Sequence, residues 1–285
     1  GQTEAPLLIK PFLNKMTKSE LTTIMVGGFA TIAGGVLVGL SSMGIEISHL
    51  VAASVMSAPA ALVIGNIIFP EKEKSETSGE TELPDIKVGS NVVEAASNGI
   101  IDGLKLAVNV GAMLIGFIAI IAVLDSILNW LDYIIDGSLL GGVYYQYSSS
   151  GFSPISGEFS GYFPGSLQTL FSNLLKPLTF IMGVPASDMQ QVGNLLGMKL
   201  SLNEFVAYAQ LGEYLNADLL SDKGQIIATY ALCGFANFSS IGIQIGGISA
   251  IAPKRKRDLA RVALKAMFGG AIASWITATI AGLLI

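Results

Sequence analysis

Five runs of this sequence, residues 21–45, 51–69, 106–124, 224–253 and 266–285, contain no Asp, Glu, Lys or Arg. A helix needs roughly 20 mostly apolar residues to cross the hydrocarbon core of a bilayer, and each run is of about that length or longer. In hydrocarbon, every backbone N–H and C=O must find its partner within the spanning segment. For a chain without long alternating strands, that leaves the helix. Charged residues make up 13% of the chain, against about 25% in soluble domains, and the mean hydropathy is +0.61. The fold class that follows is an all-α membrane protein, a multi-span helical bundle.

The charges lie between the runs and suggest how the bundle is oriented. Lys10, Lys15 and Lys18 precede the first run, Lys72 and Lys74 follow the second, and Lys254, Arg255, Lys256, Arg257 and Arg261 separate the last two. No Lys or Arg occurs from residue 106 to 175. Basic loops stay in the cytoplasm, so residues 132–164 are expected outside. The net charge of −5 speaks against a general affinity for nucleic acid, and the lone Cys233 rules out an internal disulfide. Cys233 and His49 read as a buried thiol and an interfacial side chain. With no initiator Met, the sequence reads as the C-terminal part of a longer protein.

The expected divisions follow from these patterns. Residues 1–20 form one limb of a hairpin and a basic turn, and 21–70 two spans. Residues 71–91 form a polar cytoplasmic linker, 92–131 a long tilted span with Glu94 and Asp102 near its start, and 132–165 an aromatic-rich outer loop. Residues 166–215 are a hairpin region and 216–285 two spans, one of them broken, joined by a basic loop. The hairpin at 166–215 is inferred because its apolar pieces are too short to span and both of its ends must lie outside. Such re-entrant backbone is tolerated only where it is buried or lines a wet cavity. Two hairpins opening on opposite faces, each followed by a helix containing Gly-Phe-Ala (28–30 and 234–236), make an inverted repeat of the kind transporters use.

The polar residues within this apolar frame are the candidates for chemistry. Gln2, Thr3 and Glu4 could present donors and acceptors at a hairpin tip, or Thr3 could simply cap a helix with Glu4 in its first turn. Glu204, flanked by apolar residues, is either a surface side chain or a carboxylate that needs a partner at membrane depth. Asn237, Ser239 and Ser240 lie mid-run after Gly234. They either serve an unwound ligand site or make interhelical hydrogen bonds. Thr31 holds the matching place in the first repeat, where hydroxyl and carbonyl oxygens would suit Na+. No Walker loop, catalytic triad or Cys/His metal spacing stands out.

Several segments together resemble the signatures of the concentrative nucleoside transporters. They are Gly1-Gln2-Thr3-Glu4-Ala5-Pro6, Leu106-Ala107-Val108-Asn109-Val110-Gly111-Ala112-Met113, Asn203-Glu204-Phe205-Val206-Ala207-Tyr208, Cys233-Gly234-Phe235-Ala236-Asn237 with Ser239-Ser240, and Pro253-Lys254-Arg255. The resemblance runs over nearly the whole chain. It implies a homotrimer in the cell membrane, the inner membrane of a bacterium, importing nucleosides by alternating access. Coupling would be to Na+, with H+ as the second choice. By the same resemblance Gln2, Thr3, Glu4 and Val36 face the nucleobase. Glu204, Asn237 and Ser240 hold the ribose hydroxyls, and Phe235 lines the site. Thr31 and the carbonyl of Ile32 match a sodium site whose other ligands correspond to positions before Gly1.

The residues thus point to a secondary-active symporter rather than an enzyme. The rivals are a channel or facilitator for small hydroxylated solutes, a membrane enzyme using Glu4 and Glu204 as an acid–base pair, and a structural or receptor subunit.

Overall fold

The computed structural model describes residues 1–76, 91–146 and 155–285. Most of the expected polar linker (77–90) and the part of the outer loop with Tyr147 and Phe152 lie outside them. The chain is helical nearly throughout. Helix α1 is Ala5–Leu8, α2 Lys18–Ala30, α3 Gly34–Ser41, α4 Ile47–Ile68 and α5 Val92–Asp132. Then come α6 Leu167–Ile181, α7 Met189–Ser201, α8 Glu204–Asn216, α9 Asp222–Leu232, α10 Phe238–Ile251 and α11 Lys256–Leu284. Among the described residues, four helical stretches are long and apolar enough to cross a membrane: Lys18–Ser41, Ile47–Ile68, Val92–Leu139 and Pro253–Leu284.

Side chains supply the caps that water would supply elsewhere. Thr17 and Glu20 close a reciprocal capping box at the start of α2. Asn91, Ser166, Asn203, Ser221 and Asn237 each accept from a backbone N–H in the first turn of α5, α6, α8, α9 and α10. The expectation that Thr3 caps a helix is not met. Glu4 stands at the cap of α1 without a side-chain bond, and Thr3 instead gives its N–H and hydroxyl to the Glu4 carboxylate, at 3.3 and 3.1 Å. A helix of four residues offers few N–H groups to cap, and the nearby carboxylate is the stronger acceptor.

Helix α11 is the central pillar. Its small residues let neighbours approach closely, as in membrane helix pairs generally. A Cβ on Gly269 would meet Val26 and Ile68, one on Gly270 would meet Phe29, and one on Gly282 would meet Ile227. The long α5 is a single continuous helix. Its 41 residues rise about 60 Å, roughly twice the hydrocarbon thickness, so much of it must tilt or project. Beyond α5, the segment expected to be the outer loop has regular structure among its described residues. A π-helical turn, Tyr133–Leu139, leads to an antiparallel ribbon of β1 Tyr144–Gln146 on β2 Gly157–Phe159. Phe159 sits edge-on to Tyr133 and Tyr144. Buried Asp125, Asp132 and Asp136 accept the N–H groups of Leu167, Phe159 and Phe163, fastening the loop to α5.

Region 166–215 resolves into three helices. Helix α6 runs antiparallel to α7: Gly197 abuts Ser172, and Gly193 abuts Lys176 one turn along. Helices α7 and α8 then fold back across Leu202 and Asn203. Each has 13 residues and rises about 20 Å, short of a crossing. The buried Asp188, before α7, accepts from the Ser221 N–H and hydroxyl at 3.0 and 2.5 Å, which pins this unit to the start of α9.

Candidate functional site

Both helices with Gly-Phe-Ala strings break where the strings stand. Helix α2 stops at Ala30 and α3 begins at Gly34; α9 stops at Leu232 and α10 begins at Phe238. The breaks touch. Gly234 has φ +114°, and a Cβ there would lie 2.7 Å from the carbonyl oxygens of both Phe29 and Ala30. Only glycine permits that backbone at that distance.

The two breaks dispose of their freed carbonyls differently. At the end of α9 the protein satisfies them itself. The Tyr208 hydroxyl donates to Thr229 O at 2.7 Å, the Lys199 ammonium to Ala231 O at 2.9 Å and the Ser274 hydroxyl to Cys233 O at 2.7 Å. All three donors are buried. At the end of α2 the Thr31 N–H and hydroxyl both turn back to Gly27 O. The carbonyls of Gly28, Phe29, Ala30, Thr31 and Ile32 accept no hydrogen bond from another described residue. Neutral oxygens of this kind suit a hard monovalent cation, whereas no group of three or more His, Cys, Asp or Glu able to hold a metal ion occurs among the described residues.

Glu204 opens α8 and is 4% exposed. Asn237 donates to its Oε2 at 2.8 Å, and Asn237 Oδ1 accepts from the Ser239 hydroxyl and the Ser240 N–H. Ser240 Oγ in turn accepts from Gln2 Nε2 at 3.3 Å. One buried polar chain therefore joins Gln2, Ser240, Asn237 and Glu204 from three separate parts of the sequence. Thr3 and Leu106 both lie against Gly247, and Phe235 is buried at the second break.

The other expected site residues are placed differently. Glu4 is exposed, so the reading of two buried acidic tips holds for Glu204 and not for Glu4. Val36 is half-buried on α3 and packs against the core. Thr31 and Gly28 border a cavity of about 400 Å3 with Gly27, Thr23, Ile24 and Leu62; Glu204, Asn237 and Ser240 do not line it. His49 stacks against Tyr230 and lies 3.5 Å from Glu46 at the start of α4.

Sequence reasoning missed Lys199, Tyr208, Gln244 and Ser274. Lys199 could have been noticed as a full charge five residues before Glu204 in an apolar setting, and Gln244 as a polar residue one helical turn after Ser240.

These features define a class first: a multi-pass helical membrane protein with paired helix breaks around one buried carboxylate. Comparison with known proteins gives the family. A profile described as "Na+ dependent nucleoside transporter C-terminus" matches residues 49–282, and the chain belongs to that family. It is 43% identical over its whole length to an "Uncharacterized transporter" of Haemophilus influenzae, covering 63% of that protein. It is 41% identical to "Sodium/nucleoside cotransporter 2" of Mus musculus, again over its whole length, covering 41% of that protein. Among solved structures, a double variant of CNTnw in an outward-facing state superposes with a TM-score of 0.81 at 37% identity, over 100% of this chain and 62% of that one. The chain spans less than two thirds of the length of each of these relatives.

Proposed function

We propose that this chain is the transport core of a secondary-active symporter that moves nucleosides across the membrane, driven by a sodium gradient. The observation that carries the reading is the buried chain from Glu204 through Asn237 and Ser240 to Gln2. A carboxylate held at membrane depth by neutral donors is costly unless it serves a substrate or ion path. Adjacent ribose hydroxyls can both donate to one carboxylate, and such charge-assisted bonds are strong. Glu204 with Asn237 and Ser240 takes the ribose side. Gln2 and Thr3 take the base side, and Glu4 of the same tip and Val36 of α3 complete it. Phe235 closes the wall between them.

The oxygens of the first break, with Thr31 and the Ile32 carbonyl, take Na+ as the coupling ion. Each of the chain's four members is now bonded within the protein and buried, so admission of ligand requires the two breaks to separate. The re-entrant α7–α8 unit and the tip at residues 1–4 move relative to α5, alternately opening the site to each side. The apolar face of α5, with exposed Ile115, Ile118, Val123, Ile127 and Trp130, meets lipid or further copies in a homotrimer.

The test uses the full-length protein in liposomes, with uridine and adenosine uptake measured under Na+ and pH gradients imposed separately. Saturable accumulation driven by Na+, and its near loss in E204Q, is expected. Equilibration without accumulation would make the protein a channel or facilitator. Accumulation driven by the pH gradient alone would replace Na+ by H+. Wild-type uptake by E204Q would remove Glu204 from the site.

A further inference from the structure

Gln244 is fully buried in the middle of the uncharged run 224–253. It stands four residues after Ser240 on α10, on the same helix face. Its Nε2 donates to the Met25 carbonyl of α2 at 3.2 Å. That bond decides which end of the amide is which, because turning it over would set oxygen against oxygen. Oε1 is therefore the free acceptor, and no described residue donates to it.

Gln2 lies close by: its Nε2 reaches Ser240 Oγ and its Oε1 is buried without a donor among the described residues, but a hydroxyl can serve either end of this amide, so only Gln244 is fixed in orientation. The two side chains are neighbours. A Cβ on Gly28 would lie 2.7 Å from Gln244 Nε2 and 3.3 Å from Gln2 Cβ. The bare Cα of Gly28 leaves that space to the Gln244 amide. An unmatched amide oxygen of Gln244 thus lies on the same helix face as Ser240, near the Gln2 side chain.

A scaffold role accounts poorly for this. A Leu or Met at 244 would fill the same space without burying an unmatched acceptor, which is unfavourable. The cost is recovered when a ligand brings an N–H donor. An exocyclic amine brings such a donor.

We propose that Gln244 is a base-selecting residue whose Oε1 accepts from the exocyclic amine of adenosine or cytidine; this rests on the nucleoside reading above. Loss of one such bond corresponds to a change of about tenfold in affinity. The experiment measures binding of adenosine and purine riboside, which lacks only the amine, to the full-length protein. Cytidine and pyrimidin-2-one riboside form a second pair. Wild type should favour the amine-bearing member of each pair by about tenfold. Q244M should bring both ratios near one while still binding purine riboside. G28A, which displaces the Gln244 amide from the α2 side, should do the same. Ratios unchanged in a variant that binds purine riboside would overturn the proposal. Loss of purine riboside binding in both variants would also overturn it, leaving Gln244 a scaffold residue. If wild type binds none of the four compounds, the nucleoside reading itself falls.

Discussion

Lys199, Tyr208 and Ser274 show how single side chains make an unwound helix tolerable inside a membrane. A helix end leaves carbonyls without intrahelical donors, and hydrocarbon offers no replacement. These residues reach the end of α9 from α7, α8 and α11 and supply the donors. Tyr208→Phe removes one hydroxyl and little volume, so it isolates one bond. We expect Y208F and S274A each to lower stability by about 1 kcal/mol, read as a fall in the melting midpoint of the detergent-solubilised protein. An unchanged midpoint in both would mean that these carbonyls find other partners. None of this was legible in the sequence. A Tyr or Ser in an apolar run reads equally as packing, and which carbonyl it reaches depends on a helix elsewhere in the chain.

At the scale of the elements, the breaks matter more than the spans. The recurring Gly-Phe-Ala marked both of them in the sequence, but as a tripeptide it could not show that the two breaks press on each other. Gly234 is where that contact is tightest. In G234A the Cβ would fall 2.7 Å from two carbonyl oxygens on a backbone with φ +114°. The backbone strain alone costs about 1–3 kcal/mol, before any shift of α2. By contrast, a Cβ on Gly35 meets nothing within 4 Å, and it lies in α3, where Ala is the better helix former. G234A should therefore lose both stability and uptake, while G35A should keep both. Equal behaviour of the two variants would show that the contact between the breaks is not maintained in the membrane. The apolar pieces of 166–215 were legible as too short to span. Their division into α6 beside an α7–α8 unit was not, because apolar periodicity does not show where one short helix ends and the next begins.

Across the whole molecule, two contacts tie the basic side together. Buried Arg255, at the join of α10 and α11, donates through Nη1 to Leu13 O and Met16 O at 2.9 and 2.6 Å and through Nε to Asp258. It thereby links the two ends of the sequence. The Thr17 hydroxyl donates to Glu71 at 2.5 Å, joining the start of α2 to the segment after α4. That bond, with further help from the Glu73 and Lys72 N–H groups, holds the Glu71 carboxyl below its ordinary value. A carboxyl lowered in the folded state stabilises it fully above the ordinary carboxylate range. The contribution is lost as pH falls through the lowered value. E71Q should therefore flatten the acid side of the melting-midpoint curve relative to wild type. A curve of unchanged shape would show that Glu71 is not linked to folding.

The charge-free runs settled the fold class, because a bilayer leaves a backbone of that composition no alternative to helices. The short motifs pointed to the family and to Glu204, Asn237 and Ser240, because each carries polar groups where hydrophobicity would otherwise prevail. Which of those groups meet was a matter of packing. Gln2 and Ser240 lie 238 residues apart and bond, whereas Glu4, two residues from Gln2, is exposed. Neighbourhood in the chain sets only what a residue can do locally. Whether its polar group is buried, and against what, depends on how α2, α10 and α11 pack at their glycines, and that geometry is a property of the folded whole.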